Sequence, residues 1–268
     1  MKNIIVTGAS GGMGNSICKL LAETGYQVFG LDLKGSDALN GIEHVHHIPC
    51  DITDSASVTA AFEKIKTQVS HLDAIIHTAG IYDLDSLIEM DEERFLRIFN
   101  INLFGVYRIN RTFLPLLQKG SRIIITTSEL APLDPLPFTG IYAITKGALE
   151  KYAYSLRMEL NLLGIHVSVI RPGAVKTSLL GDSTSALNRF VDNTNLYPCN
   201  ATNFRKVVDS VEARNIAPEK IARLARKALI ARRPKFVYNI NRNPLLKLLN
   251  ILPDRLQVWI IKEILRTR

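Results

Sequence analysis

A phenol and an ammonium group stand four positions apart in this chain, at Tyr142 and Lys146. On a helix, that spacing places both side chains on one face. The phenol of tyrosine titrates near pH ~10 in water, and a neighbouring cation stabilises the phenolate and lowers that pKa. The pair can therefore act as a general acid or base near neutral pH, although solvated Tyr and Lys side chains also occur at this spacing on exposed helices.

A glycine-rich loop near the start of the chain has the pattern of a phosphate-binding turn. Residues 4–6 are apolar, Gly8, Gly12 and Gly14 form T-G-x-x-x-G-x-G, and a helical pattern begins at Ile17. Glycines let the backbone approach a pyrophosphate at a helix N-terminus, where free N–H groups and the helix dipole favour anions. We therefore expect the strand, loop and helix of a dinucleotide-binding unit, the alternative being a glycine-rich turn without a ligand.

Asp32 closes the next predicted strand, Tyr26 to Leu31, and indicates which dinucleotide the loop holds. A carboxylate there can accept hydrogen bonds from both hydroxyls of an adenosine ribose and repels a 2′-phosphate. Lys34 lies close by and could soften that rejection, but Gly11 stands where a basic residue would help to bind the extra phosphate. NAD(H) is therefore favoured over NADP(H).

Together these motifs resemble the short-chain dehydrogenase/reductase family, classical type, from residue 1 to about residue 180. Further matches follow in the family's order, in stretches that begin at Asp51, Thr78, Asn100 and Pro172. The resemblance implies a hydroxysteroid-dehydrogenase-like oxidoreductase that moves a hydride between a nicotinamide and a secondary alcohol or ketone. The residues that it implies for cofactor binding are Gly8, Ser10, Gly11, Gly12, Met13, Gly14, Asp32, Asp51, Ile52, Thr78, Ala79, Gly80, Tyr142, Lys146, Pro172, Gly173, Val175 and Thr177.

The resemblance also implies a role for each catalytic residue. Tyr142 would give or take the proton, while Lys146 would lower the pKa of Tyr142 and hold the nicotinamide ribose. Ser128 would donate a hydrogen bond to the substrate oxygen, and Asn102 would hold a water that links Lys146 to solvent. The alternative is a scaffold or regulatory protein of the same fold that binds a dinucleotide without turnover.

The position of the serine departs from the family pattern. Ser128 precedes Tyr142 by fourteen residues, one more than is usual in the family. We assign the extra residue to the proline-rich loop 130–139, which can absorb an insertion. Thr127 is the second candidate if the register differs.

Two further departures concern polar residues beside the expected site. His77 and Thr78 replace two asparagines whose hydrogen bonds usually stabilise the neighbouring strands in the family. Glu129 directly follows the serine, where a carboxylate is less usual. Its side chain either points to solvent or meets a polar group of the substrate.

Apolar strands alternate with helical patterns, which predicts an α/β fold with a Rossmann-like, doubly wound parallel sheet of about seven strands in one domain, residues 1–240. Helices are expected at Ser55 to Val69, Asp91 to Leu117, Ile141 to Leu163 and Pro218 to Ala231, and the last strand at Lys235 to Ile240. The resemblance implies that the helices near 95–118 and 141–163 pair across a two-fold axis in a homodimer or homotetramer.

The C-terminal part of the chain is basic and apolar. Residues 205–268 hold 16 Lys and Arg against 5 Asp and Glu, whereas residues 1–204 hold 17 against 20. Two short apolar helices broken at Pro253 are expected in the tail, residues 241–268. An amphipathic basic tail fits peripheral contact with a membrane, a lid over the substrate, or a subunit contact. No aromatic-rich platform or groove-reading motif accompanies it, which argues against nucleic-acid binding.

The substrate is expected to be bulky and lipophilic. Residues 178–215, the most variable part of the family, mix apolar side chains with asparagines and predict a lid over a largely apolar pocket. With the apolar tail, this favours a steroid, a retinoid or a long-chain acyl compound. A small polar polyol or sugar as the best substrate would contradict this hypothesis.

Cysteine and histidine patterns bear on compartment and metal binding. Cys18, Cys50 and Cys199 are far apart and odd in number, which predicts reduced thiols in the cytoplasm. No signal-peptide pattern precedes the first strand, and no apolar run reaches the ~18 residues that span a bilayer. The histidines at 44, 46 and 47 have no acidic or cysteine partner at ligand spacing, so we expect no metal.

Overall fold

Seven parallel strands form the centre of the structure, a computed structural model that describes residues 1–35 and 37–266. Their order in the sheet is β3-β2-β1-β4-β5-β6-β7, which confirms the predicted doubly wound arrangement. The strands are β1 Lys2–Thr7, β2 Tyr26–Asp32, β3 Val45–Pro49, β4 Leu72–His77, β5 Leu117–Thr126, β6 His166–Pro172 and β7 Val237–Ile240.

Helices cover both faces of the sheet, so the central strands are apolar on both sides. Ile4 and Val6 of β1 pack with the helices of residues 12–23 and 218–230 on one face, and Ile5 packs with the helices of residues 55–66 and 105–113 on the other. The helices are α1 Gly12–Glu23, α2 Ser55–Lys66, α3 Glu92–Phe99, α4 Gly105–Phe113, α5 Gly140–Asn161, α6 Ser178–Asn193, α7 Pro198–Glu212, α8 Pro218–Ile230, α9 Pro244–Leu249 and α10 Asp254–Leu265.

The prediction of one continuous helix from Asp91 to Leu117 is wrong, because the structure interrupts it. A π-helical turn, Asn100–Phe104, separates α3 from α4, and the helix ends in a 3-10 turn at Leu114–Leu116. Periodicity alone does not reveal the turn, and the turn contains a polar contact to a distant segment. Asn102 within it bonds to the backbone of Ile81, far away in the chain.

The tail forms the two helices that were expected on either side of Pro253. Ile261 and Leu265 of α10 pack against α6 and α7 in a cluster around Phe190 and Phe204. None of the helices within residues 1–35 and 37–266 has the length and apolarity needed to cross a bilayer. Every cysteine of the chain is present as a free thiol.

The carboxyl ends of the strands meet at one edge of the sheet. Because β1 is followed by β2 on one side and pairs with β4 on the other, the chain changes direction there and leaves a cleft above the strand ends. The glycine-rich loop follows β1, Asp32 ends β2, and Ser128 follows β5. The fold thus brings the predicted site residues to a single edge.

Candidate active site

Helix α5 presents the predicted proton-transfer pair from its first two turns. It begins at Gly140, so Tyr142 and Lys146 stand one turn apart on its buried face. The Lys146 Nζ lies 5.7 Å from the centroid of the Tyr142 ring and donates a hydrogen bond of 3.3 Å to the carbonyl oxygen of Thr126. The pair borders the cleft beside the phosphate loop, so neither residue is a solvated surface side chain.

Burial dominates the ionisation of both groups. Loss of water raises the pKa of Tyr142 to about 12, and a hydrogen bond with Ser128 only partly opposes that rise. The same effect lowers the pKa of Lys146 to about 8, so its ammonium form still predominates at pH 7. The net pKa of Tyr142 is therefore raised and not lowered, because desolvation is the largest effect on it.

The hydroxyl groups of residues 127 and 128 have different partners. Ser128 bonds to the Tyr142 phenol and accepts a hydrogen bond from Leu130 N at 3.2 Å. Thr127 Oγ1 instead lies within 3.3 Å of the carbonyl oxygen of Ile170 and within 3.4 Å of a Glu150 oxygen. Of the two candidates, Ser128 is thus the one whose hydroxyl group meets Tyr142.

Asn102 is fully buried near Tyr142 and Lys146. Its amide exchanges two hydrogen bonds with the backbone of Ile81, at 2.9 and 3.0 Å, and donates a third to Thr145 Oγ1. Gly80 lies directly above, where an added Cβ would come within 3.1 Å of the Asn102 oxygen and 3.4 Å of Lys146 Nζ. Asn102 therefore connects α5 to the loop that follows β4.

The glycine-rich loop is shaped for a phosphate. Gly8 has a positive φ of 70°, and a Cβ at Gly14 would overlap the Gly8 carbonyl oxygen, so only glycine fits either position. Helix α1 begins at Gly12 with Gly11 as its N-cap, and no side chain caps it. The first-turn N–H groups therefore face the cleft, as a pyrophosphate requires. Ser10 belongs to the same loop, and Met13 lies in the first turn of α1.

Asp32 lies in a larger cleft of about 1130 Å³ on the other side of the loop. Its carboxylate accepts a hydrogen bond of 2.9 Å from Ser10 N and a longer one of 3.5 Å from Lys34 N. Asp51 and Ile52 line the same cleft, and Asp51 accepts hydrogen bonds from the backbone and hydroxyl of Thr53. The size of this cleft and its carboxylate acceptors fit the adenosine half of a dinucleotide.

The two polar residues that replace asparagines form substitute hydrogen bonds. Thr78 Oγ1 donates to the carbonyl oxygen of Thr7 at 2.7 Å, next to Ala79 and the glycine loop. His77 Nε2 lies 2.9 Å from the Asn110 side-chain oxygen. Burial lowers the pKa of His77 to about 4, so it stays neutral at physiological pH. The strands around the cleft therefore keep their polar connections.

The stretch after β6 closes the cleft from the opposite side. Pro172, Gly173 and Val175 line a cavity next to Tyr142, and Thr177 borders both this cavity and the phosphate loop. An added Cβ at Gly12 would lie 2.7 Å from the Thr177 methyl group, so the two segments touch. This position fits a segment that would contact a nicotinamide.

Two neighbouring apolar cavities lie beside Ser128 and Tyr142. The first has a volume of about 170 Å³ and includes Ser128 and Tyr142 in its wall. The second, of about 380 Å³, lies between α7 and the tail helices. Both cavities share the wall residues Leu136, Phe204, Val207 and Leu246.

Two residues in the first cavity were not assigned a role from the sequence. Tyr82 packs on Tyr142 with their ring centroids 4.6 Å apart, and no local pattern singles it out. Glu129, which the sequence left open between solvent and substrate, is only 5% exposed and lines the cavity. Its Oε2 accepts a hydrogen bond of 2.5 Å from Asn243 N, at the start of the tail.

The tail also exposes apolar side chains. Leu245 and Leu248 of α9 and Trp259 of α10 are more than half exposed. Arg255 and Lys262 lie within one turn of Trp259 on α10 and are exposed as well. One face of the tail therefore packs on the domain, while another remains apolar and basic.

The chain is similar to known proteins over most of its length. A family model described as short chain dehydrogenase matches residues 2–188. The 3-ketodihydrosphingosine reductase of Bacteroides thetaiotaomicron is 27% identical over 274 residues, which cover 97% of this chain and 96% of that protein. The NADPH-dependent 3-dehydrocapnine reductase of Ornithobacterium rhinotracheale is 29% identical over 269 residues, covering 96% and 94%. Estradiol 17-beta-dehydrogenase 2 of Mus musculus is 32% identical over 191 residues, covering 67% and 50%.

Proposed function

The chain belongs to the short chain dehydrogenase family, with a hydroxysteroid dehydrogenase among its relatives, and from that premise we propose that it reduces a long-chain lipophilic ketone to the secondary alcohol. The observation that carries this proposal is the pair of neighbouring apolar cavities, the first of which has Ser128 and Tyr142 in its wall. An elongated apolar space suits an acyl chain better than the compact rings of a steroid. A reductase of a sphingosine-type ketone among the whole-chain relatives supports the same choice.

In the proposed reaction, the residues of the chain orient the ketone and deliver a proton. The dinucleotide, when bound between the glycine loop and the stretch after β6, supplies the hydride. Ser128 donates a hydrogen bond to the carbonyl oxygen, and Tyr142 gives the proton as that oxygen becomes an alkoxide. The raised pKa of Tyr142 keeps the phenol protonated before reaction, which suits reduction. Lys146 holds the nicotinamide ribose, and its charge stabilises the phenolate that remains.

The proposal also assigns roles to Asn102, to the lid and to the C-terminal tail. Asn102 orders the loop after β4 and supports a water path to Lys146. Residues 1–240 form the dinucleotide-binding and catalytic domain, residues 178–215 form a lid, and residues 241–268 close the second cavity. The position of Leu246 in the wall of both cavities supports the role of the tail as part of the substrate enclosure.

We propose NAD(H) as the preferred dinucleotide. Asp32 supports this, because its carboxylate ends β2 in the adenosine cleft and is anchored there by Ser10 N. A negative charge at that place opposes a 2′-phosphate. Lys34 is exposed nearby, and one relative is described as NADPH-dependent, so comparing the two cofactors tests the role of Asp32 directly.

Two exposed surfaces support contact with a membrane and with a second copy of the chain. The exposed Trp259 between Arg255 and Lys262 supports peripheral contact of the tail with an anionic membrane, from which a lipophilic ketone would enter. Tyr107 of α4 and Tyr154 and Met158 of α5 are also exposed. These side chains support pairing of the two helices with a second copy of the chain, as is common in the family.

The test is a rate measurement at the nicotinamide absorbance with NADH and with NADPH. The substrates are a series of ketones with chains of about 4 to 16 carbons, a steroid ketone and a ketose sugar. We expect the largest kcat/KM for a long chain with NADH, and a loss of at least ~100-fold in Tyr142→Phe with NADH binding retained. A best rate with the sugar refutes the substrate class, and NADH binding without any turnover supports the scaffold alternative.

A further inference from the structure

Glu129 is the one charged residue in the wall of the first cavity, as far as the described residues show. The other lining residues are apolar or carry hydroxyl groups, and Glu129 itself is 5% exposed. A carboxylate buried among apolar groups is costly unless hydrogen bonds or a counter-charge compensate it. Its position in a substrate cavity therefore calls for an explanation.

Only one of the two carboxylate oxygens of Glu129 has a hydrogen-bond donor from the protein. Oε2 accepts the hydrogen bond from Asn243 N, whereas Oε1 has no hydrogen-bond partner among residues 1–35 and 37–266. The charges of Arg242 and Lys247 act on Glu129 from the tail, but neither forms an ion pair with it in the described part of the chain. Desolvation exceeds these effects and raises the pKa of Glu129. Oε1 is thus a strong acceptor that lacks a donor.

Glu129 also has a fixed place relative to the reacting oxygen. It is the neighbour of Ser128, both side chains line the first cavity, and Glu129 N is held by the Pro172 carbonyl oxygen at 2.9 Å. Gly173 allows this arrangement, because a Cβ there would lie 2.9 Å from Oε1. A substrate group that meets Oε1 must therefore be attached close to the carbonyl that Ser128 and Tyr142 hold.

We propose that Glu129 binds a protonated amine on the carbon next to the ketone, so that the preferred substrate is a long-chain 2-amino ketone. This inference rests on the proposed function and names the polar end of its substrate. An ammonium group supplies both the donor that Oε1 lacks and the counter-charge that a buried carboxylate requires. A role limited to holding the tail would need only an acceptor for Asn243 N, and a neutral amide would suffice for that.

The experiment compares two ketones of equal chain length that differ only in the amine. In the wild type we expect kcat/KM to be at least ~10-fold higher for the amino ketone, since a charge-assisted hydrogen bond to a buried carboxylate is worth that factor or more. In Glu129→Gln, which retains an acceptor for Asn243 N, the ratio should fall to about one, mainly through KM. The control Glu263→Gln, in the tail but outside the cavity wall, should keep the wild-type ratio.

A binding measurement separates this inference from the proposed function. Dodecylamine and dodecanol are titrated into the full chain with NADH present, and their Kd values are compared for wild type and Glu129→Gln. Tighter binding of the amine that depends on Glu129 supports the subsite even if no ketone is turned over, a result that would refute only the reductase function. Equal Kd values, or an amino-ketone preference that survives in Glu129→Gln, would overturn the inference while leaving the reductase function intact.

Discussion

The Lys146 ammonium group lies 5.7 Å from the centre of the Tyr142 ring, and both side chains are enclosed by the protein. Enclosure shifts their pKa values in opposite directions, to about 8 for Lys146 and about 12 for Tyr142. Both shifts favour the neutral forms. Because the phenol is neutral below pH ~10 in the folded and the unfolded chain alike, the cost in folding stability near pH 7 comes from the charge of Lys146.

Because the buried charge of Lys146 destabilises the folded protein, we expect the substitution Lys146→Met to raise the free energy of unfolding. Below pH 8 both the folded and the unfolded chain carry the Lys146 charge, so the full penalty of about 3 kcal/mol applies. Between pH 8 and about 10.5 the folded protein has lost this proton while the unfolded chain keeps it, so the penalty fades as the pH rises. The variant should thus be more stable than the wild type by about 3 kcal/mol at pH 7 and gain little at pH 10.5.

Urea unfolding of both proteins at pH 7, 9 and 10.5 checks this prediction. The difference between variant and wild type isolates Lys146, because the buried Cys18 and Cys50, whose pKa values are also raised, are common to both. A stability difference that does not change with pH would contradict the role of the buried charge.

The preference between dinucleotides should depend on Asp32. In Asp32→Ala we expect the ratio of kcat/KM for NADH to that for NADPH to fall by at least ~10-fold, since charge repulsion and ribose hydrogen bonds are both lost. The matched variant Lys34→Ala removes a nearby positive charge and should leave the ratio equal or higher. An unchanged ratio in Asp32→Ala would mean that another residue selects the dinucleotide.

If the acyl chain of the substrate extends from the first cavity into the second, the wall that the two cavities share should limit chain length. Val207 lies in the wall of both cavities, so Val207→Trp should keep the chain out of the second cavity. Excluding about two methylene groups, at ~0.8 kcal/mol each, lowers kcat/KM roughly 15-fold for a long-chain ketone and leaves a short ketone nearly unaffected. Val258→Trp, at an exposed position of α10, is the control. Equal effects on short and long ketones would show that the second cavity does not hold the chain.

Membrane contact of the tail can be followed through Trp259, the single tryptophan of the chain. On vesicles that contain phosphatidylserine we expect a blue shift of its emission that weakens at high salt, since basic residues flank it. Leu248→Glu, on the exposed face of α9, should reduce vesicle binding at least ~5-fold. Leu162→Glu changes an equally apolar but distant exposed residue and should bind as the wild type does. An emission maximum that stays constant would leave a protein partner as the occupant of this face.

Much of the site could be read from the chain because its parts are local. Tyr142 and Lys146 share one helix, and the glycine loop is continuous in sequence, so spacing alone places their atoms. The parallel, doubly wound sheet likewise follows from the alternation of apolar strands and helices, since crossovers between parallel strands need a helix. The family, the seven-stranded sheet and the tail helices were predictable for this reason.

The features of the site that the sequence did not predict arise from contacts between distant segments of the chain. Asn102 in the π turn bonds to Ile81, Glu129 accepts a hydrogen bond from Asn243 in the tail, and Tyr82 reaches Tyr142 from a loop. The direction of the Tyr142 pKa shift also follows from enclosure by several elements together. Sequence therefore determined which groups are present and how each local segment folds. Only the tertiary structure decided which of them lose water and which face one another, because burial is a property of packed segments and not of any one of them.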